Sequence, residues 1–153
     1  MNVFVYDPYV EREKIEKFGG KKVDDFKAAV KEMDIISIHM PLNEKTNNLV
    51  NLELLKTMKK NCILINAARG GIINENDLFE ALNNDYIFGA GLDVFNIEPP
   101  EKTNPLLNCD KVFLSPHSAT FTEECTERMS VETVQNVIDF FDKKLEKFKT
   151  VEL

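Results

Sequence analysis

Apolar residues fall in short runs that stop at prolines and glycines, and these runs alternate with stretches of helical periodicity. Val3–Tyr6 is a compact β-branched and aromatic run that ends at Asp7-Pro8, where proline stops a strand. A weaker strand, Lys21–Val23, follows the Gly19-Gly20 turn. Ile35–Ile38 ends at His39-Met40-Pro41, and Cys62–Ile65 runs into Asn66 and then Gly70-Gly71. Tyr86–Phe88 and Ala90–Val94 bracket Gly89 and Gly91, and Val112–Leu114 stops at Ser115-Pro116. Runs that are apolar on both faces are the pattern of parallel strands covered by helices on both sides.

The helical stretches lie between these runs. Val10–Phe18 carries Val10, Ile15 and Phe18 among charges, the pattern of a mostly solvated helix. Asp24 is a candidate cap for a second helix with Phe26, Ala29 and Val30 on one face. Leu52–Met58 predicts a third, closed by Lys59-Lys60, and Asn74 caps a fourth over Glu75–Leu82. A long last helix begins after Thr122, with Glu123 and Glu124 in its first turn. Val134, Ile138, Phe141, Leu145 and Phe148 recur in it at i+3 or i+4, and lysines 143, 144, 147 and 149 close it. Strand and helix in alternation predict an α/β fold with a doubly wound parallel sheet. Such sheets bind ligands outside the carboxyl ends of their strands. That rule gathers Asp7, His39, Asn66–Gly71, Asp93 and Pro116–Thr120 on one rim.

Composition narrows the field. The chain has 153 residues, one domain's worth, with 26 acidic against 19 basic residues and a net charge of −7. That excess argues against nucleic acid as a partner, because neutralising phosphates needs a basic surface. Met1–Tyr6 is too short for a signal peptide and charges follow at once; no run reaches the ~18–20 apolar residues of a membrane span. Cys62, Cys109 and Cys125 form no CxxC pair and leave one thiol over whatever the pairing, which points to a reducing, cytoplasmic compartment. The two histidines lack HxxH or HExxH spacing, so no metal site is expected.

The chemistry-bearing residues cluster just after strands. Asp7 could accept hydrogen bonds from both ribose hydroxyls of an adenine dinucleotide, or could be a turn residue before Pro8. Arg69, between small residues and Gly70-Gly71, could hold a carboxylate with both arms of its guanidinium, or form a surface ion pair. His117, after Pro116, is the preferred acid/base candidate, with His39 second, and Glu98 is the acid that could sit beside it. A carboxylate beside an imidazole favours the protonated ring, although a lone histidine also serves as a hydrogen-bonded structural residue. Gly89-Ala90-Gly91 lacks the third glycine of a dinucleotide loop, sits inside an apolar run and opens no helix, so it reads as close packing.

Five segments in order resemble the NAD-binding domain of the D-isomer-specific 2-hydroxyacid dehydrogenases. They are Val5–Tyr9, Ser37–Leu42, Leu64–Gly71, Ala90–Phe95 with Glu98-Pro99, and Leu114–His117. The nearest types are 3-phosphoglycerate dehydrogenase and hydroxypyruvate/glyoxylate reductase. The resemblance implies hydride transfer between NAD and a small 2-hydroxy or 2-keto acid. It gives Arg69 the substrate's carboxylate and carbonyl, His117 the proton, and Glu98 the role of its partner. Asp7 would hold the adenosine ribose and Asp93 would lie near the nicotinamide carboxamide. Pro41, Ala67, Ala68, Arg69 and His117, with Ser118, Ala119 and Thr120, would line the cofactor.

The chain departs from that family in one respect. It starts at what would be the second strand of the Rossmann-type sheet, so the first strand, the GxGxxG loop and the first helix have no counterpart. The expectation is a partial NAD-binding domain over residues 1–153 without a substrate domain, inactive and weak for NAD as an isolated chain. In the 3-2-1-4-5-6 strand order the missing strand is central, so two apolar edges would face a gap and invite homodimerisation by strand pairing. The rival expectations are a non-catalytic α/β interaction or regulatory module and a Rossmann dehydrogenase of the alanine-dehydrogenase type.

Overall fold

The computed structural model describes residues 1–146 and Lys149; Lys147 and Phe148, assigned above to the last helix, lie outside the described residues. The chain divides into two compact units, Met1–His117 and Ser118–Leu153. In the first unit the strands are β1 (Phe4–Val5), β2 (Lys21–Lys22), β3 (Ile35–Ile38), β4 (Ile63–Asn66), β5 (Gly89–Leu92) and β6 (Val112–Leu114). The helices are α1 (Arg12–Lys17), α2 (Phe26–Ala29), α3 (Leu52–Leu55) and α4 (Glu75–Asn83), with short 3-10 turns at Val30–Glu32 and Pro105–Asn108. All strand pairs are parallel. They form two sheets, β1-β2 and β3-β4-β5-β6, and among the described residues no strand joins them. Registers such as Ile36 opposite Leu64 and Leu64 opposite Ala90 bring the carboxyl ends of β3 to β6 to one edge.

The core lies between the four-stranded sheet and α3, α4 and the Pro105–Asn108 turn. Leu55, Leu64, Ile72, Leu78, Leu82, Ile87 and Leu106 are fully buried there. Each contributes about 1.5–3 kcal/mol through burial, so this cluster, not helix propensity, holds the short α3 and α4 in place. Asn74 caps α4, its side chain accepting from the Asp77 amide at 3.1 Å, and Asn51 caps α3 in the same way.

Among the local expectations that differ from the structure, four have a visible reason. The cap of α2 is Asp25, whose carboxylate accepts from the Ala28 amide; Asp24 instead pairs with Arg12 at 2.7 Å. Tyr86–Phe88 is not a strand: Asp85 turns left-handed at φ 55° and the Tyr86 amide closes α4 on the Ala81 carbonyl, so β5 begins at Gly89. The third helix ends at Leu55, where Thr57 Oγ1 takes the Leu54 carbonyl.

In the second unit, α5 (Glu123–Phe141) starts at Thr122, whose hydroxyl accepts from the Cys125 amide at 3.2 Å. The fourth difference is here. This helix stops before the lysines, because Lys143 turns to φ 59° and the Lys144 amide closes the end on the Asp139 carbonyl. Its apolar residues Val131, Val134, Ile138 and Phe141 are exposed. No described helix is long and apolar enough to cross a membrane.

Candidate active site

Arg69, Asp93 and His117 each lie within three residues of the carboxyl end of a parallel strand of the four-stranded sheet. Asn66 is the last residue of β4 and is buried; its side chain donates to the Arg69 carbonyl at 2.9 Å and accepts from the Ala68 amide at 3.1 Å. This internal clamp shapes the Ala67-Ala68-Arg69 turn. Ala67 and Arg69 are exposed and Ala68 is half-buried, and the Arg69 guanidinium donates to the Ala68 carbonyl at 2.6 Å. Asp93 follows β5 and is buried, and its carboxylate accepts from the Ser115 hydroxyl at 2.5 Å. The Asp93 amide donates to the Asn66 carbonyl, so the ends of β4, β5 and β6 are tied to one another.

Beyond β6, His117 takes a left-handed backbone at φ 53°, a conformation uncommon outside glycine but one in which histidine is enriched. Its Nδ1 donates to Glu98 Oε2 at 2.7 Å, and Glu98 Oε1 accepts from the Phe95 amide at 3.0 Å. Both side chains are partly open to solvent, His117 at 53% and Glu98 at 37%. The His117 bond, with help from the Phe95 amide, holds the Glu98 carboxyl below the usual glutamate range, so Glu98 is an anion at neutral pH. An anionic acceptor on Nδ1 fixes the proton there in the neutral ring and leaves Nε2 to take or give one.

β4 and β6, which precede Arg69 and His117, lie two places apart in the sheet, so the strands themselves run about 9–10 Å apart. The link between them is Gly70. A Cβ there would lie 1.8 Å from the Phe95 carbonyl oxygen and 2.6 Å from the Asn96 nitrogen, so the Arg69 turn presses on the loop that carries Glu98. Sequence reasoning named Arg69, Glu98 and His117 and put Asn66 and Gly70 on the same rim, but missed Ser115 and the contacts these three make. The only signal for them is their position at strand ends.

The remaining candidates sit as follows. Asp7 Oδ1 accepts from the Tyr9 and Val10 amides at 2.8 and 3.1 Å, the turn role, which leaves Oδ2 as the acceptor for anything else. His39 is exposed, with Nε2 2.8 Å from the Ser37 hydroxyl rather than beside a carboxylate. Pro41 is exposed, and its carbonyl accepts from Thr46 Oγ1 at 2.7 Å. Ser118, Ala119 and Thr120 belong to the second unit, where the Ser118 carbonyl accepts from the Phe121 amide. A separate cleft of about 410 Å³, lined by Gly71, Glu75, Asn96 and Asn104 among others, includes none of Arg69, Glu98 and His117.

Comparison with known proteins gives this geometry its context. The chain is 47% identical over 124 residues to D-3-phosphoglycerate dehydrogenase of Methanocaldococcus jannaschii, covering 81% of this chain and 24% of that protein. It is 37% identical over 140 residues to glyoxylate reductase of Korarchaeum cryptofilum, covering 92% and 42%. Among solved structures, D-lactate dehydrogenase with NAD+ from Lactobacillus jensenii superposes with a TM-score of 0.84 at 29% identity, covering 99% of this chain and 48% of that one. The chain thus spans between a quarter and a half of the length of these relatives. The sequence profile of the D-isomer specific 2-hydroxyacid dehydrogenase NAD binding domain matches residues 1–119. With that match over most of its length and a parallel sheet of the same topology, the chain belongs to the NAD-binding domain family of the D-isomer-specific 2-hydroxyacid dehydrogenases.

Proposed function

We propose that this chain is the cofactor-side part of an oxidoreductase that interconverts a small D-2-hydroxy acid and its 2-keto acid, of the 3-phosphoglycerate or hydroxypyruvate/glyoxylate kind, in the cytoplasm. The observation that carries this reading is the His117–Glu98 pair at the carboxyl end of the sheet, with Arg69 on the same rim. The residues present fit the two ends of NAD. Asp7, with one oxygen spent on its own turn, keeps an acceptor for the adenosine ribose, and Asp93 offers a fixed carboxylate at the nicotinamide end. Pro41, Ala67 and Ala68 would contribute backbone along the way. The middle does not fit: the sequence contains no GxGxxG turn, and Gly89 and Gly91 lie inside β5. When bound, NAD supplies the hydride acceptor or donor.

The chain's own residues do the rest. Arg69 grips the substrate carboxylate and polarises its carbonyl. His117 Nε2 gives a proton to that oxygen in reduction and removes it in oxidation. Glu98 stabilises the charged ring and keeps its Nδ1 proton in place. These 153 residues by themselves hold NAD weakly and turn over nothing, because they supply no glycine-rich cradle for the pyrophosphate. The test is a chimaera in which the remainder of the Methanocaldococcus jannaschii relative precedes this chain. It should reduce hydroxypyruvate or oxidise 3-phosphoglycerate with NAD, and His117→Ala should lower kcat by at least 100-fold. A chimaera that binds NADH normally but is insensitive to His117→Ala would reject the reading. Tight NADH binding or turnover by the chain alone would reject the statement about its isolated state.

A further inference from the structure

The second unit carries a 19-residue helix, α5, with no buried residue. A helix in water draws most of its stability from packing one apolar face against something. Val131, Val134, Val137, Ile138 and Phe141 make such a face, and each is 48–78% exposed. Four of them follow one another at intervals of three, four and three residues: Val131, Val134, Ile138 and Phe141. That is the 3.5-residue repeat of a seam between two helices, with Val131 and Ile138 at a and Val134 and Phe141 at d. Val137 flanks the seam at g, and the Phe140 ring stands edge-on to that of Phe141 with centroids 5.6 Å apart.

The charges set a direction for the pairing. Glu123 and Glu124 lie in the first turn of α5, and Lys143 and Lys144 follow its last. Two parallel copies would bring like ends together, whereas two antiparallel copies set the acidic end of one toward the basic end of the other and oppose their dipoles. In an antiparallel pair each a lies level with a d of the other helix, so Val131 meets Phe141 and Val134 meets Ile138. The e positions then face each other, and at the two ends of the seam these are Arg128 and Asp142, both exposed. A two-fold axis makes that opposite-charge contact twice. Within one chain Asp142 already holds Lys144 at 2.9 Å, but both side chains are at least half open to water, so that bond is a weak competitor.

We propose that the apolar face of α5 is an interface with a second copy of this chain, formed as an antiparallel helix pair closed at both ends by Arg128–Asp142 contacts. The occupant is a second copy because the patch is complementary to itself in both respects: its a residues fit its own d residues, and its two e charges are opposite in sign. The area suffices. At about 100 Å² of open surface each, the five apolar residues offer roughly 500 Å² per copy, and the Arg128 and Asp142 stems bring the pair near the ~1,200 Å² at which specific interfaces begin. The seam is short, so the dimer forms at high concentration and dissociates on dilution. It rests on α5 alone, independently of the chemistry proposed above.

The experiment is sedimentation equilibrium of the 153-residue chain over a range of concentrations at low salt. The mass should rise from monomer to dimer, and Val134→Glu, at an exposed position, should hold it at monomer. Arg128→Asp and Asp142→Arg should each weaken association about tenfold, because each puts like charges at both ends of the seam. An equimolar mixture of these two variants should dimerise as the wild type does, since every 128–142 contact between unlike copies is again of opposite sign. That recovery also answers the case in which a single variant frays its helix, because a frayed helix would not be rescued by another. A mixture that stays as weak as its components overturns the proposal. So does a dimer that survives Val134→Glu, which assigns association to the sheet edges instead. A wild-type chain that remains monomeric at every concentration while α5 binds a hydrophobic dye assigns the face to a different polypeptide and likewise overturns it.

Discussion

Gly70→Ala tests whether the Arg69 turn and the Glu98 loop are one mechanical unit. The added methyl would sit 1.8 Å from the Phe95 carbonyl oxygen and 2.1 Å from its carbon. Ordinary contact needs ~3.4 Å, so one backbone segment must retreat by about 1.5 Å. The obstacle is main chain, which cannot rotate aside as a side chain could. Overpacking of this kind costs about 1–3 kcal/mol, a fall in Tm of ~3–10 °C for a chain of this size. The retreat also carries the Phe95 amide, one of the two groups that hold Glu98, away from its carboxylate. Two measurements on the isolated chain follow. Thermal unfolding should show the lower Tm, and carbon-detected NMR titration should show the Glu98 carboxyl moving up toward its ordinary value. Gly19→Ala is the control, because its φ of 81° strains a side chain but nothing lies within 4 Å of the added methyl. It should lose ~1–2 kcal/mol and leave Glu98 unchanged. If Gly70→Ala keeps the wild-type Tm and the wild-type Glu98 titration, the two loops are not coupled.

Other tests are shorter. His117→Ala removes the main cause of the depressed Glu98 carboxyl, so its titration should shift up toward 4.5; an unchanged curve would mean the bond is not populated in solution. The sign of the linked stability is fixed by that depression: the bond helps the fold above the ordinary glutamate range and is lost as pH falls through the lower native value. Asn66→Ala deletes two bonds from a buried side chain and should cost about 1–3 kcal/mol in urea unfolding, with a cost near zero showing that the turn is held otherwise. Cys62 is fully buried and its thiol is pushed up to about 11, so at pH 8 a thiol reagent should label Cys109 and Cys125 long before Cys62. Equal rates for all three in the native chain would contradict the burial.

The strand runs were legible where burial on both faces and a hard stop coincide. Ile35–Ile38 and Val112–Leu114 have the predicted bounds, because His39-Met40-Pro41 and Ser115-Pro116 leave no room to extend. Asn74 and Thr122 were readable as caps since each precedes an acidic first turn. Asp24 and Asp25 were not distinguishable by spacing, for the choice is made by Arg12, twelve residues away from Asp24. Tyr86–Phe88 has strand composition, yet a left-handed residue at Asp85 spends it on closing α4. In the candidate site, Arg69, Glu98 and His117 were named from the order of their motifs, and the structure pairs His117 with Glu98. The contacts that support them, Asn66 to Arg69, Gly70 to Phe95 and Ser115 to Asp93, depend on turn shape or cross between segments, and no periodicity reports such ties.

The torsion at His117 has a consequence for how this chain can vary. With half of the ring in solvent, its direction is dictated by one backbone angle and one carboxylate rather than by a packed wall. Neighbouring apolar residues can therefore drift without turning the imidazole. A β-branched or proline replacement at 117 would relax the main chain toward negative φ and uncouple the loop, whereas glycine would preserve the path of the chain while erasing its only titrating group at that point. Shape and chemistry are separable at this one residue, and that makes it the position at which a descendant could lose its titrating group and keep its architecture.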